Sequence, residues 1–176
     1  MSDERCPLSR STCELLLEMR SELLMWDEKI ISYERQLLEI VKENPVCRRL
    51  TDIPGIGPIT ATAVWAHVGN ALLFKNGRQF AAYLGLVPRQ HSSGGKTRLQ
   101  GISKRGDRYI RQLLIHGARA VVRFAELKKD PRSLWIQRID IQRGRNKACV
   151  ALANKNARVI WALMARGEEY KQPLVA

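Results

Sequence analysis

The 176-residue sequence is short of the side chains that most site chemistry needs. It has 4 cysteines and 3 histidines, no Cys-x-x-Cys pair, and His67, His91 and His116 stand far apart. A structural zinc site is therefore not expected. From residue 51 onward the carboxylates are Asp52, Asp107, Glu126, Asp130, Asp140, Glu168 and Glu169. Two-metal phosphodiester chemistry needs several convergent carboxylates to hold ions roughly 4 Å apart. No spacing among these acids suggests such a cluster, so no metal ligand is assigned and the sequence does not read as a self-sufficient nuclease. No apolar run approaches the ~18 residues of a membrane span, which excludes membrane insertion. The opening Met1-Ser-Asp-Glu-Arg-Cys-Pro lacks the basic and then apolar stretch of a secretory signal, so the expected compartment is a reducing cytoplasm.

What is present in excess is positive charge. Lys and Arg number 30 against 17 Asp and Glu, a net charge of +13. Located along the chain, that charge is −2 over residues 1–50, +1 over 51–86, +12 over 87–148 and +2 over 149–176. Fixed cations that displace counterions from phosphates supply most sequence-independent affinity for nucleic acid. A polyanionic partner, nucleic acid above all, is the expectation. With 45% hydrophobic residues, the chain can also build a core.

Residues 8–44 carry Leu16, Met19, Leu23, Trp26, Ile30, Tyr33, Leu37 and Ile40 at alternating spacings of three and four, the seam of a coiled coil. Leu17, Leu24, Ile31 and Leu38 widen it, so an antiparallel hairpin or a multi-helix contact fits as well as a simple dimer. Asn44-Pro45 ends the helix because proline has no amide hydrogen to give. The spacing predicts a helical arm over 1–45 that self-associates, its carboxylates on the solvated side, and a compact domain over 46–176.

Within that domain, apolar residues at helical spacing flank Pro54-Gly55-Ile56-Gly57-Pro58. Glycines permit positive φ and close backbone approach, and proline suits the first turn of a following helix whose amides point outward. The stretch at about 50–69 resembles the helix-hairpin-helix DNA-binding motif. That resemblance implies that the amides around Gly55 and Gly57 contact one backbone phosphate. A plain tight turn between core helices is the alternative.

From Leu86 to Asp107 the chain is polar and rich in glycine, a stretch expected as a long basic loop. Its serines, Ser92 and Ser93, read from the residues alone either as nucleophiles among phosphate-stabilising cations or as a solvated linker. After it, at about 100° per residue, Arg108, Arg111, Arg119 and Arg123 share one face, expected as an exposed ridge for phosphates. Ile110, Leu113, Leu114, Ala120, Val121 and Phe124 are assigned to the core face. Arg138, Arg143, Arg145 and Lys147 flank Gly144 at a helix junction, a last helix covers 148–164, and Trp135 and Trp161 are expected in the core. The fold class is all-α: a coiled-coil-like N-terminal arm, then a compact helical domain with the glycine-marked hairpin and the basic glycine/serine loop.

Together, the runs at 53–63, 74–96, 101–111 and 146–158 resemble the C-terminal transposase domain of the DEDD-type insertion-sequence transposases (the IS116/IS110/IS902 family), related to the Piv invertase. The resemblance covers nearly the whole chain. It implies DNA transposition by recombination of bacterial mobile DNA in the cytoplasm, at the nucleoid, guided by a structured RNA. It implies that Ser93 is the nucleophile that links to DNA, with Ser92 the adjacent alternative. Lys96, Arg98, Lys104, Arg105, Arg108 and Arg111 are then expected near phosphates, with Arg119 and Arg123 further along the ridge. Full-length members add an N-terminal RuvC-like domain with four metal-binding carboxylates, which this sequence does not contain. Mg²⁺ is accordingly expected only with that domain, no cofactor is expected on this chain, and the sequence looks like a truncated, split or excerpted copy. The reading from a different class is a non-catalytic nucleic-acid-binding protein or a regulator derived from a transposase. A product without a role is the remaining one.

Overall fold

The computed structural model describes residues 8–93 and 96–171, with residues 91–93 and 96–99 described by their backbone alone. Among them the helices are α1 (Arg10–Glu43), α2 (Pro45–Thr51), α3 (Pro58–Val68), α4 (Gly77–Tyr83), α5 (Arg108–Arg123), α6 (Pro131–Arg143) and α7 (Arg145–Arg166). Short 3-10 turns lie at Ala71–Leu73 and Ala125–Leu127. The all-α class holds, with one departure. The stretch expected as a loop contains an antiparallel pair, β1 (Pro88–Ser93) and β2 (Lys96–Ile102), in which His91 faces Arg98 and Ser93 faces Lys96. Two extended runs separated by a glycine pair are a hairpin signal. Polarity on both faces hid it, because no apolar alternation marks either strand. Gly94 and Gly95 lie outside the described residues.

The chain divides into two compact units, Met1–Glu39 and Ile40–Ala176. In the first, α1 displays its apolar seam to solvent: Leu23 is 65% exposed, Trp26 55% and Tyr33 63%. Lys29 Nζ sits 4.8 Å from the centre of the Trp26 ring. The helix stops where expected, and Asn44 then caps α2, its Oδ1 accepting from the amides of Val46 at 2.9 Å and Cys47 at 3.1 Å.

The second unit is built around α7. Cys149, Leu152, Ala153, Asn156, Ala157, Ile160 and Leu163 recur at spacings of one, three and four and are all buried. Around that face pack α2, α4, α5 and α6. Gly77 lets α4 come close to α7: a Cβ added there would stand 3.0 Å from the Arg158 backbone. Three polar side chains of α7 reach out to loops. Asn154 Nδ2 donates to Leu86 O at 3.2 Å, Asn156 Nδ2 to Pro54 O at 3.1 Å, and Trp161 Nε1 to both Ala71 O and Phe74 O at 3.1 Å.

A second close approach joins the α2–α3 turn to α5. Gly55 has φ +90°, and a Cβ at Gly117 would fall 1.8 Å from Gly55 O. No rotamer relieves such an overlap, because the position of Cβ is set by the backbone and the atom it meets is a backbone carbonyl. Gly117→Ala is expected to lower stability by about 1–3 kcal/mol, outweighing the gain in helix propensity of up to about 1 kcal/mol. Gly57→Ala, where an added Cβ meets nothing within 4 Å, should stay within about 0.5 kcal/mol of the parent. Urea unfolding of the two variants checks the contrast, and equal effects would refute this packing account.

Candidate nucleic-acid interface

The serine hairpin is a two-stranded ribbon, which alone is marginally stable, so its foot matters. Ser103 N donates to Val87 O at 2.8 Å and Lys104 N to Gly85 O at 3.1 Å. Gly85 and Gly106 let the end of α4 and the start of α5 touch backbone to backbone: a Cβ at Gly106 would lie 1.7 Å from Tyr83 O. Arg111 closes this foot from beneath. Its Nη1 donates to Leu84 O at 3.2 Å, Asp107 O at 3.3 Å and Gly106 O at 3.5 Å, and the residue is only 8% exposed.

Arg111 therefore does not belong to the exposed ridge on which it was expected. The reason is angular. At about 100° per residue, Arg111 lies only about 20° from Ala118 and from Val122, which are both buried. Arg108, Arg119 and Arg123 fall about 60° to 120° away and are exposed. The expected core face needs the same adjustment: Ile110, Leu114 and Val122 are buried, whereas Ala120 and Phe124 are exposed. Asp107 starts the helix, its Oδ1 accepting from Ile110 N at 2.6 Å.

Beside the foot lies a groove of about 2380 Å³ walled by α4, the base of the hairpin, α6 and α7. Ten Lys and Arg side chains line it against Glu168 and Glu169 alone. Among the described residues only one of those cations, Arg166, is ion-paired, to Glu168 at 3.7 Å. Burial first, then the charges of Arg132 and Arg158, hold the Lys155 pKa below that of an ordinary lysine. Unneutralised like charge at this density favours a polyanion. Trp135 and Trp161, expected in the core, are instead half-buried and form part of the groove wall.

A smaller pocket of about 280 Å³ is lined by Arg119 and Arg123 of α5 and by Arg145, Asn146 and Cys149 of α7. Burial pushes the Cys149 thiol above its usual pKa, partly offset by Arg119 and Arg145.

The structure thus separates the sequence-derived residues. Lys104 lines the groove and Arg119 and Arg123 line the small pocket. Arg105 and Arg108 are exposed and line neither. Gly55 is occupied in packing against α5, while Gly57 is open and forms the N-cap of α3. The side chains of Ser93, Ser92, Lys96 and Arg98 lie outside the described residues; their backbone runs in the two strands. Missed from the sequence were Arg78, Arg89, Lys155, Arg158, Arg166 and Lys171 of the groove, whereas Arg138, Arg143 and Lys147, which also line it, were named only as flanking a helix junction. A signal existed for part of this wall. Lys147, Lys155, Arg158 and Arg166 fall within about 100° of one another on α7, opposite the buried alanines.

Residues 47–132 match the transposase IS116/IS110/IS902 family. The chain carries a domain of that family. Over 171 residues, 97% of its length, it is 52% identical to a probable family 20 transposase of Pseudomonas aeruginosa, of which it spans 51%. It is 53% identical over 151 residues to the transposase for insertion sequence element IS1111A of Coxiella burnetii, covering 86% of this chain and 42% of that protein. The transposase for insertion sequence element IS1328 of Yersinia enterocolitica is 37% identical over 145 residues, 82% of this chain and 43% of that protein. The chain spans about half or less of the length of these relatives. Ser93 and every phosphate-contact candidate named above fall inside the stretch that matches the transposase family, whereas most of α6 and all of α7 lie beyond it.

The two kinds of arginine separate experimentally. Arg111→Ala should cost about 1–3 kcal/mol, because Leu84 O and its neighbours lose a buried charged donor. Arg108→Ala should stay within about 0.5 kcal/mol. Thermal melts of both variants read this, and an unchanged melting temperature for Arg111→Ala would remove it from the hairpin foot.

Proposed function

We propose that the chain is the serine-bearing, nucleic-acid-binding C-terminal part of an insertion-sequence transposase. The observation that carries this reading is the cation-lined groove beside the foot of the Ser93 hairpin, in a chain that carries a transposase-family domain. The substrate is a DNA phosphodiester. Ser93 Oγ attacks phosphorus, an Oγ–P bond forms as the P–O bond to one deoxyribose breaks, and the hydroxyl proton ends on the departing oxygen. Cations near the phosphate stabilise the charge that accumulates on its oxygens in the pentacovalent state. Positioning comes from the hairpin foot, which ties both strands to α4, α5 and Arg111.

A structured guide RNA is the second polyanion in this proposal, and the exposed seam of α1 is the contact between copies of the chain. Mg²⁺ does not fit the residues present: among the described residues no group of three or more His, Cys, Asp and Glu side chains could hold a metal ion. The metal would come with a RuvC-like domain. The alternative, a non-catalytic binding protein, shares the groove and differs only at the serine.

Two experiments test this reading. With a metal-binding transposase domain, Mg²⁺ and cognate nucleic acids supplied, the parent should form a protein–DNA adduct resistant to denaturing electrophoresis, and Ser93→Ala should not. An adduct of equal yield from Ser93→Ala would leave the nucleophile assignment wrong. For the arm, sedimentation of the parent should show an oligomer that Leu23→Glu with Ile30→Glu reduces to monomer; an unaltered oligomer would place the contact elsewhere.

A further inference from the structure

The groove and the small arginine pocket meet at one residue, since Asn146, in the first turn of α7, lines both. We infer that they form one continuous track for a single-stranded polynucleotide, running from the foot of the serine hairpin over the start of α7 and down between α5 and α7. This rests on the nucleic-acid reading above and adds to it the strand state, the path and the residues.

The crossing point suits a phosphate. Gly144, at φ +85°, begins α7 with no side-chain cap, and the first helical amides to find a partner are those of Lys147 and Ala148, on Gly144 O at 3.0 and 3.2 Å. The amides of Arg145 and Asn146 precede them, in the turn where a helix leaves its donors free. On one side of this turn stand the Arg119, Arg123 and Arg145 guanidinium groups, drawn from two helices into a pocket that no carboxylate lines. On the other, Arg138 of α6 and Lys155 and Arg158 of α7 continue the positive surface along the groove. Planar guanidinium forks pair bidentately with phosphate oxygens. Three of them at one turn exceed what a solvated helix surface needs.

Aromatic rings decide between a single strand and a duplex. Trp135, Trp161 and Tyr170 line the groove, each beside a cation: Lys155 Nζ lies 4.5 Å from the Trp135 ring centre, the Arg166 guanidinium 5.7 Å from Trp161, and that of Arg132 5.3 Å from Tyr170. Trp161 is held by its two carbonyl partners, so its ring is a fixed wall. Rings interleaved with cations along a groove bind unpaired bases by stacking while the charges follow the backbone. A duplex keeps its bases stacked inside and has no use for such walls. DNA and RNA single strands share this chemistry.

The test uses the full chain with oligothymidylate and oligouridylate of about 20 nucleotides, long enough to exceed typical single-strand site sizes, and a duplex of the same length. One strand should bind per chain, more tightly than the duplex. Each cation that contacts phosphate contributes about 0.7 to the slope of log K against log salt for a single strand. Arg138→Ala with Arg158→Ala should therefore reduce that slope by about 1.4, and so should Arg119→Ala with Arg145→Ala; all four positions are exposed, and melting temperatures should not move. Lys128→Ala with Lys129→Ala, outside both cavities, should leave the slope unchanged. Binding of either oligonucleotide more tightly than the duplex supports the track, and a preference for one of the two identifies the source of the strand. Two strands bound per chain, or one pair of variants without effect, would overturn the continuous track. Tighter binding of the duplex would overturn the single strand while leaving the nucleic-acid reading intact, and no binding at all would overturn both.

Discussion

Asn156 is fully buried in the middle of α7, and its Nδ2 is committed to Pro54 O, a carbonyl of the turn between α2 and α3. Two residues earlier Asn154 holds Leu86 O, just before the serine hairpin, and five residues later Trp161 holds the two carbonyls that bracket the first 3-10 turn. One helix thus buries an alanine-rich face against its neighbours and, from the same stretch, satisfies the loose backbone acceptors of three connections. A buried carbonyl without a donor costs about 1–3 kcal/mol, so each connection is tied to α7. The placement of the α2–α3 turn, of the hairpin and of the groove wall all follow from that helix.

The arginines divide along the same line. Arg111 serves the backbone: it points inward, donates to three carbonyls and fixes the hairpin foot. Arg119, Arg123 and Arg145 converge around a pocket with no acid in its lining. Identical side chains have opposite tasks because position on the helix decides whether a guanidinium meets carbonyls or water. The +12 charge of residues 87–148 is for this reason not one surface. Part of it is structural, part lines the groove, and part lines the pocket between α5 and α7.

Much of the fold was legible in the sequence. The arm followed from three-and-four spacing, its end from Asn44-Pro45, the start of α3 from Pro58, and the α6–α7 junction from Gly144. The hairpin was not legible as strands, because its sequence is polar almost throughout and leaves no apolar alternation to read. For the candidate site, the residues assigned from the sequence lay within 55–123; the family-like run at 146–158 falls on α7, but no site residue was assigned there or on α6. Arg138, Lys155 and Arg158 are far in the chain from Pro88 and Arg89 at the base of the hairpin and share a groove with them only through packing around α7. Trp135 and Trp161 read as core because tryptophan is apolar in composition; their half-burial is a property of the groove beside them.

By itself, the sequence determined the all-α class, the helical arm and its end at Asn44-Pro45, the start of α3 at Pro58, that the charge is concentrated in one part of the chain, and which family its motifs resemble. These are local properties, set by periodicity, capping and residue type, and they need no partner to be decided. The tertiary structure alone decided that Arg111 is buried, that Gly55 and Gly117 touch, that ten cations share one groove with two carboxylates, and that Asn146 joins it to a second pocket. Each of these depends on which faces of α5 and α7 meet, and that is fixed by close packing between residues up to about a hundred positions apart, a separation no local pattern encodes.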